Sequence, residues 1–222
     1  MRFGDTSSFK SNFMGVDLET ASGVLVPREE TAILGEAAIA ILRSRSANAK
    51  IIDMCCGSGN LACAIALAQP HATIWASDLT EECVSLSWRN VQRLNLVSRV
   101  HVRQGDLFTG LKGDSLESKI DLVVCNPPYI STSRLAGVKS YLLASEPKEA
   151  FDGGPYGLSM HQRVIRDALP YLTSDGRIAL EFGQGQERQV QSLIARMQQY
   201  GNVDLVTDAS GVPRVAVAQK IF

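Results

Sequence analysis

Short runs of β-type residues alternate with runs of helical spacing along most of this chain. That alternation restricts the fold to a mainly parallel sheet covered by helices on both faces. Strand signals fall at 50–54, 72–77, 100–103, 120–125, 177–180, 203–206 and 215–218; helix signals fall at 61–67, 81–94, 159–171 and 186–198. The run Ile120-Asp121-Leu122-Val123-Val124-Cys125 is nearly all apolar, as a strand buried on both faces requires. Thr80 is placed to cap the helix that follows it. The tail strands, joined through Gly211 and Pro213, have no helix between them, so one of them must run antiparallel. The expectation is an α/β, doubly wound, mostly parallel seven-stranded sheet with a C-terminal antiparallel strand.

Ahead of this pattern, 16–26 reads as two short strands around Ser22-Gly23, and 29–42 as a helix. Residues 1–46 are accordingly a hairpin-and-helix appendage, and 47–222 form the main domain, a size that one core can serve. No apolar run is long enough to span a membrane, and the first dozen residues lack the basic and apolar blocks of a secretory leader, so a cytoplasmic protein is expected. Twenty-two basic residues balance 23 acidic ones, without the strong basic footprint of a phosphate-tracking protein, which argues against nucleic acid as substrate. Cys55, Cys56 and Cys63 share one apolar stretch with no histidine at ligand spacing, and are read as core residues rather than metal ligands. Trp75 and Trp88 are read as packing residues and His161 as a residue of a solvated helix face; His71 and His101 fall at strand entrances, and no histidine is assigned a catalytic part.

The chemistry concentrates at strand ends. Asp53-Met-Cys-Cys-Gly57-Ser-Gly59 turns the first strand of the sheet into a helix, and its glycines let the backbone approach a ligand. The glycines alone do not separate one nucleotide ligand from another. Asp78 closes the next strand about twenty residues on, the spacing at which a carboxylate reaches ribose hydroxyls. Asp106, followed by Leu107, comes after the third strand. Ligands of open α/β sheets lie at the carboxyl ends of the strands, so the three acids are expected around one crevice. Such a ring would repel a pyrophosphate and attract a sulfonium and an amino group, which suits an adenosyl ligand without phosphates.

Asn126-Pro127-Pro128-Tyr129 follows the apolar fourth strand and opens on the same crevice. The prolines fix the backbone, leaving the Pro127 carbonyl free beside the side-chain carbonyl of Asn126. Two adjacent acceptors can hold a planar nitrogen through its two hydrogens, and Tyr129 can stack on the planar group. An amide nitrogen is a weak nucleophile, so attack on a methyl sulfonium needs alignment above all.

These motifs resemble the class I methyltransferases with a Rossmann-like fold and, within them, the protein N5-glutamine methyltransferases acting on peptide chain release factors. The resemblance runs from about Val24 to the end, through Val24-Leu-Val-Pro-Arg28-Glu-Glu-Thr31, Asp53 to Gly59, Asn126 to Tyr129, Glu146-Pro147, Phe151-Asp-Gly-Gly154 and Glu181 to Gln186. It implies S-adenosylmethionine as cofactor, on Asp53, Gly57, Gly59, Asp78, Asp106, Leu107 and Asn126. It implies a target amide on Asn126, Pro127 and Tyr129, in a pocket bordered by Pro27, Arg28, Thr31, Pro128 and Glu146. Two departures accompany it: some two dozen residues precede Val24 where release-factor enzymes carry a helical N-terminal domain, and Asp53-Met-Cys-Cys replaces Asp-Leu-Gly-Thr. Acceptors compatible with the motif are a protein glutamine, a small-molecule metabolite held under a lid formed by 131–155, or an amine of nucleic acid. A non-catalytic adenosyl-binding scaffold and a nicotinamide dehydrogenase are the readings from other classes, the latter without an acid or base to serve it.

Overall fold

Alternate residues of one strand face opposite sides of a sheet, and here that rule divides the hydrophobic core in two. The computed structural model describes residues 10–45, 48–135 and 151–221. Its seven-stranded sheet contains β3 (Lys50–Met54), β4 (Thr73–Asp78), β5 (Val100–Gln104), β6 (Ile120–Cys125), β7 (Leu172–Glu181), β8 (Tyr200–Thr207) and β9 (Pro213–Lys220), in spatial order β5-β4-β3-β6-β7-β9-β8. Strands β5, β4, β3, β6 and β7 pair in parallel; β9 is antiparallel to both its neighbours. The doubly wound expectation and the antiparallel C-terminal strand are both observed.

Ile51, Leu122 and Val124 pack on one face with α1 (Thr31–Arg43) and α2 (Asn60–Ala68), and Val91 of α3 (Glu81–Arg93) joins them. Ile52, Val123 and Cys125 pack on the other face. Their partners there are a 3-10 turn (Leu107–Leu111), α5 (Ser159–Ala168) and α6 (Glu187–Arg196). A short α4 (Thr132–Leu135) follows the proline motif. Thr80 caps α3, its hydroxyl accepting from Cys83 N at 3.3 Å. Among the described residues no helix is long and apolar enough to cross a membrane.

The N-terminal hairpin differs from expectation. Its strands are β1 (Lys10–Phe13) and β2 (Val16–Glu19), joined by Met14-Gly15 rather than by Ser22-Gly23. Both loop residues have positive φ, 51° and 80°, as the tight hairpin turn that matches strand twist demands. Burial explains the choice: Phe13, Val16 and Leu18 reach the core only in this register. Asn90 of α3 then fastens the hairpin, accepting from Glu19 N at 2.7 Å while donating to Glu19 O and to Ser58 O. Trp88 is 41% exposed and so is not a packing residue, while Trp75 packs against His101 at 5.4 Å between ring centres.

Candidate active site

The order of strands reverses between β3 and β6, and the crevice of the molecule opens at their carboxyl ends. The turn after β3 is held from below. Asp53 is fully buried and accepts from Ala62 N at 3.0 Å, at the start of α2. Burial pushes its carboxyl up to about 8, against the pull of that N–H. It therefore does not share the crevice wall with the other two acids; it supports the turn from behind. Gly59 has φ +77°, and a Cβ there would lie 2.5 Å from Ser87 Oγ, so this position needs glycine twice over. Gly57, with φ +55°, donates its N–H to Asp78 Oδ2 at 2.9 Å.

Asp78 lies on the wall of a cavity that also touches Met54, Cys55 and Leu107. Its Oδ1 accepts from Leu79 N at 2.8 Å and from Thr80 N at 3.3 Å, so the carboxylate ties the β3 turn to the start of α3 and still presents lone pairs to the cavity. Asp106 lines the same cavity, with Oδ2 paired to Arg163 of α5 at 2.7 Å. Leu107, at φ +50°, opens the 3-10 turn with an N–H that has no backbone acceptor, as first-turn amides do. Among the described residues the cavity wall carries no lysine or arginine.

Asn126 and Pro128 line the cavity from the β6 side, whereas Pro127 is buried. A smaller cavity adjoins it, bordered by Pro27, Arg28 and Thr31, and Asn126 and Cys55 belong to both. Asn126 Nδ2 donates to Thr31 Oγ1 at 3.0 Å. Tyr129 donates its hydroxyl to Glu181 Oε1 at 3.3 Å, and its backbone oxygen accepts from Gln186 Nε2 at 2.9 Å. Gly157 and Gly183 make room for the tyrosine: a Cβ on the former would collide with Tyr129 O, and one on the latter would lie 3.0 Å from its ring. Of the loop 131–155, which a small-molecule acceptor would require as a lid, 136–150, with Glu146, lie outside the described residues.

Two residues of this region gain parts that their types did not announce. His161, expected on a solvated face, is buried with Nε2 2.8 Å from Glu181 O, and burial lowers it to about 4. Helical spacing from Met160 to Leu169 pointed to a buried stripe, and His161 falls within it. Glu181 is 3% exposed, and burial raises its carboxyl to about 7. Its position at a strand end beside the motif was the available signal. Gln186 was marked only as the end of the Glu181 to Gln186 segment of the resemblance, and Arg163 had no signal, because only the packing of α5 brings it to Asp106.

Comparison with known proteins follows the same lines. Residues 34–155 match the model of the methyltransferase small domain family. The chain is 35% identical over 207 residues, 93% of its length and 71% of the relative's, to the release factor glutamine methyltransferase of Gloeobacter violaceus. It is 41% identical over 138 residues to the ribosomal protein uL3 glutamine methyltransferase of Bradyrhizobium diazoefficiens, covering 62% of this chain and 42% of that one. A crystal structure of the release factor-specific protein-(glutamine-N5) methyltransferase of Alicyclobacillus acidocaldarius superposes with a TM-score of 0.50 at 26% identity, covering 88% of this chain and 94% of that chain.

Proposed function

The chain belongs to the methyltransferase small domain family and, within it, to the release factor glutamine methyltransferases, and from that premise we propose that it methylates the side-chain amide nitrogen of a glutamine in a protein, with S-adenosylmethionine as donor. The observation that carries this reading is Asn126. Its Nδ2 is committed to Thr31, no donor among the described residues reaches its Oδ1, and it stands where the two cavities meet.

The larger cavity fits the donor. Asp78 can accept from the two ribose hydroxyls. Asp106 and the Leu107 N–H, which has no backbone acceptor among the described residues, set an acceptor beside a donor, the complement of an adenine edge. Asp78, the wall carboxylate that no cationic side chain among the described residues pairs with, favours a positively charged, phosphate-free nucleoside. When bound, S-adenosylmethionine supplies a methyl group on a sulfonium, with a neutral thioether as leaving group.

The chain's own residues then supply alignment. Asn126 Oδ1 and the Pro127 carbonyl would each accept one N–H of the target amide, turning the face of its nitrogen toward the donor cavity. Tyr129, its hydroxyl held by Glu181 and its backbone by Gln186, would cover the planar amide and keep water from it. Orientation of two reactants contributes on the order of 7 to 11 kcal/mol in favourable cases, enough to be the main source of rate for so weak a nucleophile. The two carbonyl dipoles also stabilise the positive charge arriving on nitrogen until a proton leaves it. On this reading the protein works in the cytoplasm, beside the translation proteins that its relatives are named for.

The test is transfer of labelled methyl with release factor, ribosomal protein uL3 and a small-molecule extract offered in parallel. Label at a glutamine of either protein is the expected result; label confined to a small molecule would overturn the protein acceptor and keep the chemistry.

A further inference from the structure

On the side of the sheet that α1 covers, a groove of about 680 Å3 runs between α1 and the edge strand β8. Ala32, Ile33, Ala37, Ala40 and Ile41 form one wall, at the three- and four-residue spacing of a single helix stripe. It lies beside the stripe that buries Leu34, Ala38 and Leu42 in the core. Val206 and Val217 stand on the opposite wall. Alternation along β8 explains the opening: Val203 and Leu205 pack into the core under α6, while Asp204 and Val206 turn to the α1 side. There Val206 stays half-buried and Asp204 exposed. In the sheet β8 pairs with β9 alone, so its outer edge is open as well.

Carboxylates rim this apolar floor. Glu29, Glu36, Asp204 and Asp208 face a single cation, Arg177, among the described residues that line the groove. Asp208 is taken by Arg214 at 3.0 Å, and Arg177 donates to Gln219 Oε1 at 3.3 Å. Glu29, Glu36 and Asp204 are exposed and form no ion pair among the described residues. An apolar floor inside a polar rim is the anatomy of a protein interface, and the sign of the rim selects a partner of opposite charge.

The groove opens toward the acceptor. Strands β7 and β8 are both antiparallel to β9, so they run the same way, and Thr207 and Asp208 lie at the crevice end of the sheet. Glu29 adjoins Arg28 of the smaller cavity, and Thr31, the first residue of α1, holds Asn126. A pocket at Asn126 reads one amide and does not tell one protein's glutamine from another's. We propose that the groove between α1 and β8 docks a basic segment of the protein acceptor, its lysine or arginine side chains on Glu29, Glu36 and Asp204 and its apolar side chains on the alanine stripe. The proposal rests on the acceptor reading above. A protein that contacts RNA carries Lys and Arg for the phosphates, so an acidic groove separates such acceptors from other proteins that expose a glutamine.

Neither Glu36 nor Asp204 lines the donor or the acceptor cavity, so both can be reversed without touching the site. The experiment compares the full chain with Glu36→Lys, Asp204→Lys and their double variant; Glu117→Lys, exposed and outside the groove, is the control of equal charge change. Acceptors are the protein labelled at glutamine and a short peptide cut from around that glutamine. Each groove reversal should raise KM for the intact protein at least about fivefold, and the double variant at least about twentyfold, with kcat and the peptide's KM within about twofold. Glu117→Lys should stay within about twofold throughout, and added salt should weaken wild type more than the double variant. Unchanged KM for the intact protein, or an equal rise for the peptide, would overturn the groove. A wild-type dimer that the reversals dissociate in sedimentation would assign the groove to a second copy and overturn the proposal too. If wild type labels no glutamine, the acceptor reading fails, and a synthetic helix of leucine and lysine decides the groove by calorimetry. Its Kd should then rise with Glu36→Lys and Asp204→Lys but not with Glu117→Lys, and an equal response to all three would overturn the docking surface.

Discussion

Asn126, Asp78 and Asp53 show three uses of a polar side chain at a strand end, and each makes a separate prediction. Asn126 hydrogen-bonds to Thr31 and borders both cavities, and among the described residues it makes no hydrogen bond to Asp78 or Asp106. Asn126→Ala should thus lower kcat at least about a hundredfold while donor affinity, measured by calorimetry, stays within roughly tenfold. Asp78 is both a ligand candidate and the strap between Gly57 N–H and the start of α3. Asp78→Ala should weaken donor binding at least about tenfold, and unchanged affinity would mean that the ribose lies elsewhere. Asp53 acts through burial. Burial lifts its carboxyl from the ordinary 3.8 to about 8 in the folded protein, and that of Glu181 from 4.5 to about 7. Both groups bind protons more tightly in the folded state, so the stability they contribute is full below the unfolded values and is lost as pH rises toward 7 and 8. His161 has the opposite sign, contributing stability that is lost as pH falls from 6.5 to about 4. Between pH 6.5 and 8, below the range in which the buried cysteines begin to contribute, the melting temperature of the donor-free protein should fall, and Asp53→Asn should flatten the slope.

At the scale of elements, the turn from β3 to α2 is the most constrained piece. Cys55, Gly57 and Gly59 all have positive φ within five residues, a conformation costing roughly 1–2 kcal/mol for a residue with a Cβ. Gly59→Ala adds a clash with Ser87 to that cost and should destabilise the protein by about 2 kcal/mol or more in urea unfolding. Strand and helix placements in the sheet were legible because burial on both faces leaves a plain apolar signature, as in β6. The N-terminal hairpin was not. Met14-Gly15 and Ser22-Gly23 are both plausible turns by composition, and only burial of Phe13, Val16 and Leu18 in the core, with β2 against α2 and α3, distinguishes them.

At the scale of the molecule, the segment proposed as an appendage, 1–46, supplies Thr31 to the site of the domain proposed for 47–222. α1 lies against the sheet through Leu34, Ala38 and Ile41, and Arg45 beyond it pairs with Asp175 at the start of the sheet's β7. The hairpin is held by Asn90, whose side chain satisfies three backbone groups at once. Asn90→Ala would strand these groups and should cost about 2–4 kcal/mol. Amide exchange should rise first in β1 and β2, and protection unchanged there would show the hairpin to be held by its apolar contacts alone.

Periodicity, glycine spacing and the Asn126 to Tyr129 motif determined, without tertiary information, the layered α/β fold and the end of the sheet at which the crevice opens, and pointed to the class of donor proposed for it. Those properties depend on local backbone preference and on which strands must be buried, and both are written in consecutive residues. The tertiary structure alone decided that Asp53 lies behind the crevice, that Arg163 pairs with Asp106 and that Thr31 meets Asn126. Such pairings join residues 50 to 95 positions apart, and their distances follow from how helices settle over two core faces. No single stretch of chain encodes that packing.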